Sequence, residues 1–255
     1  MNIEHTLTHH LKKLMLPVVK EEFLNQAEKA RKEEWSYEEY LLELVQKELE
    51  ARENKRINRW LKESNLPLAK SLSNFDLHRL PKGVHQQFQA LRDGKFLERK
   101  ENVLLFGTPG SGKTHLMCAL AQEMIKKGFR ALFRSCTALI QELLLAKREL
   151  RLTRCIKKLT AYDLLVIDEI GYVQQEKEEM EVLFTLFSEC YETISILLTS
   201  NLSFSKWEGI FKDAMMAAAT IDRLVHHSMI LELNLLSYRL EVSKKRIKEK
   251  SENKD

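Results

Sequence analysis

Apolar residues recur every three or four positions through the first quarter of the chain, then give way to short continuous runs separated by helical stretches. The spacing predicts one helix over about 6–32 and another over 37–63, where Tyr40, Leu41, Leu44, Val45, Leu49, Ile57, Trp60 and Leu61 share a face. Ser36 and Glu39 stand at capping-box spacing, and Glu38 and Glu39 occupy the first turn, where the helix dipole favours acids. Pro67, Pro81, Gly83 and Gly94 interrupt the pattern between 67 and 99, which reads as a connector with a short helix near 84–92.

From residue 102, β-rich runs alternate with helical ones. The order is VLLF at 103–106, a helix over 113–127, RALF at 130–133, a helix over about 137–159, LLVI at 164–167, a helix over 177–191 and SILLT at 195–199. Two more helical segments lead to MILEL at 229–233. Such alternation implies right-handed crossovers, a mostly parallel sheet and ligands at the carboxyl ends of its strands. The expected fold class is α/β, preceded by a small all-helical domain. The expected boundaries are 1–66 for the helical domain, 67–101 for the connector, 102–243 for the α/β domain and 244–255 for a charged, frayed tail.

Composition narrows this picture. The 8 glycines and 4 prolines among 255 residues fall well below the average usage of roughly 12 per cent, which excludes low-complexity, collagen-like and turn-rich all-β classes. Charged residues at 31% and hydrophobic ones at 44% fit a helix-rich protein with a real core. A formal charge of +4 is too small to identify a nucleic-acid partner, so the distribution of charge must decide. Cys118, Cys136, Cys155 and Cys190 form no C-x-x-C pair, and no secretory leader or long apolar run is present. A cytoplasmic protein with reduced, core-filling thiols is expected, with no membrane association.

Gly107, Pro109, Gly110 and Gly112 concentrate four of the twelve backbone punctuators into six positions. With Thr108, Ser111, Lys113 and Thr114 they satisfy G-x-x-x-x-G-K-[ST], after a buried-type strand and before a helix. Glycines allow successive amides to face phosphate oxygens at the positive end of a helix. Lys113 is expected to neutralise the β- and γ-phosphates of ATP, and Thr114 to hold Mg²⁺. The run Leu164 to Glu169 carries Asp168 and Glu169 to the same sheet edge, Asp168 for the Mg²⁺ and Glu169 to polarise an attacking water. A third strand ends in Thr199, Ser200 and Asn201, any of which can orient the water or serve as a cap or turn. Arg223 reads either as an arginine finger for a neighbour or as part of a helical salt bridge with Asp222 as acid.

These residues lie among further motifs: WSYEEYLLEL followed by ELEAR, NFDL at 74–77, GKTHL, LLVIDEIGY, LTSNLSFSKW and AAATIDRLVHH. From about residue 11 to 240 the chain resembles the IstB-like ATP-binding proteins, transposition helper ATPases of insertion sequences in the AAA+ superfamily, close to DnaC-type helicase loaders. The resemblance implies a P-loop AAA+ core with a parallel five-stranded sheet and no separate helical lid. It implies that Lys113 and Thr114 match Walker A, with His115 next in the nucleotide-binding run. Asp168 and Glu169 match Walker B, Asn201 sensor 1, and Arg223 the box that holds the arginine finger. Leu235-Leu236-Ser237-Tyr238-Arg239 stands where the family has Gly-x-Ser-Tyr-Arg, and Cys190 where an Arg commonly precedes Tyr-Glu. The implied partners are duplex DNA, the cognate transposase and further copies of the chain in a ring or spiral.

Two basic stripes are candidates for DNA. Arg52, Lys55, Arg56, Arg59 and Lys62 recur at helical spacing, and Arg148, Arg151, Arg154, Lys157 and Lys158 follow the second strand with Lys147 beside them. Neither has interleaved aromatics, so backbone contacts without base readout are expected. The expected activity is a DNA- or partner-stimulated ATPase. A helicase loader, a nucleotide-gated adaptor that needs no hydrolysis and a small-molecule kinase are the alternatives, the last disfavoured by Glu169.

Overall fold

In the first unit of the chain, Met1–Arg59, a very small core holds helices together with help from a buried carboxylate. The structure, a computed structural model, describes residues 3–171, 176–202, 206–207 and 214–238. Helices α1 (Ile3–Lys13), α2 (Pro17–Lys32) and α3 (Tyr37–Glu63) supply its elements. The single helix expected over 6–32 is two. Met15 adopts a left-handed φ of 55° and Pro17 opens α2, where a missing N–H costs nothing. Leu11, Phe23 and Leu44 are buried together against Leu16, Val19 and Tyr40, whose hydroxyl donates to the Phe23 carbonyl at 2.9 Å. Leu16 gives α2 no side-chain cap, and Glu48 from α3 takes that role by accepting the Val18 and Val19 amides at 2.9 and 3.2 Å. The expected capping box at Ser36 and Glu39 forms, with reciprocal bonds of 2.7 and 3.2 Å.

The second unit, Trp60–Asp255, is built on a parallel sheet. Strands β1 (Asn102–Gly107), β2 (Ala131–Ser135), β3 (Leu164–Ile170), β4 (Ser195–Ser200) and β5 (Ser228–Leu233) lie in the order β2-β3-β4-β1-β5. Short helices α4 (Lys82–Leu91) and α5 (Lys95–Glu98) precede β1. Helices α6 (Lys113–Lys126), α7 (Cys136–Arg148), α8 (Leu152–Leu159), α9 (Lys177–Cys190) and α10 (Ala214–Val225) make the crossovers.

Side-chain alternation sorts the strands into two buried faces. Leu104, Phe106, Leu165, Ile167, Ile196 and Leu198 pack with residues of α7, α8 and α9, while α6 contacts β1 to β4. The helix expected over 137–159 breaks into α7 and α8 at Leu150, another left-handed residue, φ 53°. The Arg151 amide closes the end of α7 on the Ala146 carbonyl at 2.7 Å. No helix among the described residues is long and apolar enough to cross a membrane. Arg239, the expected tail from 244 and most of the first of the two helical segments expected between β4 and β5 lie outside the described residues.

Candidate functional site

The chain leaves β1 through Gly107, whose φ of 149° and position leave no room for a side chain: a Cβ there would stand 2.2 Å from the Leu233 carbonyl oxygen of β5. Gly110 and Gly112 are left-handed, φ 81° and 99°, and α6 begins immediately after at Lys113. The sequence Gly107 to Thr114 thus folds as a tight loop ending on a helix N-terminus, whose first amides are unpaired by the helix itself. Ser111 Oγ is buried with no protein partner, a polar atom whose burial is costly unless a ligand oxygen meets it.

Lys113 is nearly buried, and its ammonium donates to the carbonyls of Gly107 and Thr108 at 2.7 and 2.9 Å. Burial lowers its pKa, opposed by the nearby carboxylates of Glu169 and Asp168. Thr114 Oγ1 donates to Asp168 Oδ1 at 2.9 Å, which joins the start of α6 to the end of β3. Two hard oxygen donors so placed fit Mg²⁺. No cluster of three or more His, Cys, Asp or Glu suited to a metal occurs among the described residues.

Asp168 and Glu169 sit at a bulge. Ile167 pairs with Leu198 and Ile170 with Ser200, so three steps along β3 match two along β4. Thr199 Oγ1 donates to Asp168 Oδ1 at 2.6 Å and accepts the Glu169 amide at 2.8 Å. Ser200, considered above as a site residue, is fully buried, with its hydroxyl on the Ile170 and Leu202 carbonyls. Asn201 reaches the site.

A cleft of about 300 Å³ brings together Pro109 to His115 with Glu169 and Asn201. Sequence reasoning missed its other wall. Lys70, Asn74, Phe75, Asp76 and Arg79 from the stretch read as a connector line it, as do Leu235 and Tyr238 after β5. His115 holds the connector in place, with its Nε2 2.8 Å from the Ser71 carbonyl and its ring edge-on to Phe75 at 5.2 Å. Thr108 Oγ1 donates to Leu235 O at 2.9 Å, the Tyr238 amide to Gly110 O at 3.1 Å and Arg79 to Leu236 O at 3.2 Å. The guanidinium of Arg79 also lies over the Tyr238 ring at 4.9 Å. The NFDL motif and the Leu235-to-Arg239 run were its signals in the sequence, but neither announces that the two stretches meet across the phosphate loop.

Arg223 does not line this cleft. It lies on α10, with its guanidinium 4.8 Å from the centre of the Phe184 ring and a bond to Ala219 O at 3.4 Å. Arg52, Lys55, Arg56, Arg59, Lys62, Arg148, Arg151, Arg154, Lys157 and Lys158 are exposed, whereas Lys147 is partly buried and paired with Glu181 at 2.8 Å. Arg52 is committed to the fold, donating to Glu48 at 2.9 Å and to the Met15 carbonyl. Arg56 lies 3.9 Å from Glu53, and Arg151 pairs with Glu149. Arg148, Arg151, Arg154, Lys157 and Lys158 surround the α7–α8 break rather than one continuous helix.

A parallel sheet of this order, with a glycine-rich loop, its lysine and Glu169 on one cleft and Asp168 bonded to Thr114 beside it, defines a P-loop nucleotide-binding fold. The family model described as IstB-like ATP binding protein matches residues 9–246, and the chain belongs to that family. A putative insertion sequence ATP-binding protein of Sinorhizobium fredii is 41% identical over 90% of this chain and 77% of its own. The insertion sequence IS21 putative ATP-binding protein of Pseudomonas aeruginosa is 38% identical over 96% and 88%. Among solved structures, AMPPCP-bound DnaA from Aquifex aeolicus superposes with a TM-score of 0.55 at 22% identity, covering 72% of this chain and 56% of that one. That match spans little more than half of DnaA and carries the fold alone.

Proposed function

We propose that this protein is an ATP-hydrolysing transposition helper that assembles on duplex DNA and prepares it for, or recruits, a transposase. The observation that carries the reading is the convergence of Lys113, Thr114, Glu169 and Asn201 on one cleft, with Asp168 hydrogen-bonded to Thr114. The loop amides, Ser111 Oγ and the Lys113 ammonium, which has three protons to donate, bind the phosphates. Thr114 and Asp168 would hold Mg²⁺, which supplies charge neutralisation at the phosphates when bound. Glu169 accepts a proton from water as its oxygen attacks the γ-phosphorus, Asn201 orients that water, and the bond to the ADP oxygen breaks. The wall formed by Phe75, Arg79 and Tyr238 takes the nucleoside end.

Arg223 stands outside its own cleft, and this favours action on the nucleotide of a neighbouring copy. Hydrolysis is then slow for the isolated chain and faster once DNA gathers copies together. The exposed cations of both stripes meet phosphates of the duplex, a sequence-independent contact. Membership of a family of insertion-sequence proteins supports transposition as the setting. The test is Glu169→Gln. The variant is expected to retain ATP binding and ATP-dependent growth in size on duplex DNA while losing turnover. Full transposition activity in that variant would favour an adaptor gated by binding alone.

A further inference from the structure

Seven described residues other than glycine have φ between 53° and 63°. Met15, Glu34, Asn65, Lys100, Leu150 and Glu192 each lie two positions past the end of a helix, where a left-handed residue closes the last turn. Glu169, φ 63°, differs from all six because it lies inside strand β3. A left-handed acidic residue in a strand is unfavourable by itself and persists only where its surroundings impose it.

Thr199 is what imposes it. The bulge removes Glu169 from the regular pairing of β3 with β4, and the Thr199 hydroxyl supplies the acceptor for its amide at 2.8 Å. The same hydroxyl spends its only proton on Asp168 Oδ1 at 2.6 Å. Thr199 is fully buried, and a β-branched side chain so enclosed has little rotamer freedom. With no exposed surface and no place in the cleft lining, it does not contact the space open to the nucleotide. One fixed oxygen therefore sets two neighbouring carboxylates to different tasks, holding Asp168 beside Thr114 and the Glu169 backbone in the turn that presents its side chain to the cleft.

We infer that Thr199 is a positioning residue for hydrolysis, acting through Asp168 and Glu169 without touching substrate. This rests on the reading of Glu169 as the residue that takes the proton from water. The experiment compares Thr199→Val, which keeps the shape and removes the hydroxyl, with Thr199→Ser, which keeps the hydroxyl, and with Glu169→Gln. Turnover on duplex DNA, KM, affinity for a fluorescent ATP analogue and melting temperature are measured for each. T199V is expected to lower kcat by about 10- to 100-fold, as a misplaced catalytic group does, with KM and analogue affinity within about threefold of the native protein. T199S is expected to retain at least about a third of native kcat. If T199V does not fold, Thr199→Ala takes its place in the same comparison. A kcat for T199V within about twofold of native, or an equal loss in T199S, overturns the proposal while an inactive E169Q leaves the role of Glu169 standing. Native turnover in E169Q removes that role and this proposal with it.

Discussion

Replacing Glu48 by Gln perturbs one buried carboxylate that joins α3 to the start of α2. Its side chain is 5% exposed and accepts three bonds: Val18 N and Val19 N on Oε2, and Arg52 Nε on Oε1. A glutamine can keep its carbonyl on the two α2 amides, but its NH₂ then faces the donors of Arg52. Charge assistance of the amide bonds is lost, at a cost of about 2 kcal/mol, while the half-exposed Arg52 adds less than about 1 kcal/mol. Among the described residues only Leu11, Phe23 and Leu44 are buried in the core of this unit, so a loss of that size is a large share of its stability.

The pH dependence gives a second check. Burial raises the pKa of Glu48, but the bonds from Arg52, Val19 and Val18 outweigh it, and the net result lies below the ordinary 4.5. An acid with a lowered folded pKa stabilises fully above its unfolded value, and that contribution is lost as pH falls through the folded one. Urea unfolding followed by Trp35 fluorescence, in variants with Trp60 and Trp207 replaced by Phe, should show E48Q weaker by about 2 kcal/mol at pH 7, the gap closing below about 4.5. A gap under about 0.5 kcal/mol at neutral pH, or one that does not shrink in acid, would refute the assigned role of Glu48.

Lys113→Ala should weaken binding of a fluorescent ATP analogue by at least about 100-fold, since the only buried cation of the loop is gone. Because the lysine's pKa lies below 10.5 in the free protein, native affinity should begin to fall with rising pH before that value is reached, and K113A should lose this dependence. Replacing Lys157 and Lys158 with Ala should reduce the slope of log affinity for duplex DNA against log salt by about 2, and an unchanged slope would remove α8 from the DNA surface. In the native protein Ellman's reagent at pH 8 should modify Cys155 ahead of the others. Cys136 is buried, and burial pushes the Cys118 and Cys190 thiols up to about 12.

The sheet was legible because its strands are short apolar runs bounded by helical periods, and each expected strand appears within two residues except β3, which runs three residues further, through the bulge to Ile170. The breaks at Met15 and Leu150 were not, because in this glycine-poor chain those helix ends are closed by left-handed residues that carry side chains. The phosphate loop and the acid pair declare themselves because each is a contiguous string whose spacing is its geometry. The opposite wall of the cleft is not contiguous: Arg79 meets Leu236 across 157 positions, and only packing brings them together. Thr199 was visible as a polar strand end, yet its direction, away from the cleft and onto Asp168, depends on a bulge that no pattern announces.

The ATPase site is proposed to be completed by a neighbouring copy on DNA. Its most direct test mixes Arg223→Ala and Glu169→Gln proteins, each expected to be inactive alone on duplex DNA. An equal mixture should recover about a quarter of native turnover, because one interface in four joins an intact Glu169 to an intact Arg223 from the adjacent copy. Native turnover by R223A alone, or no recovery in a mixture that still assembles on DNA, would contradict the account.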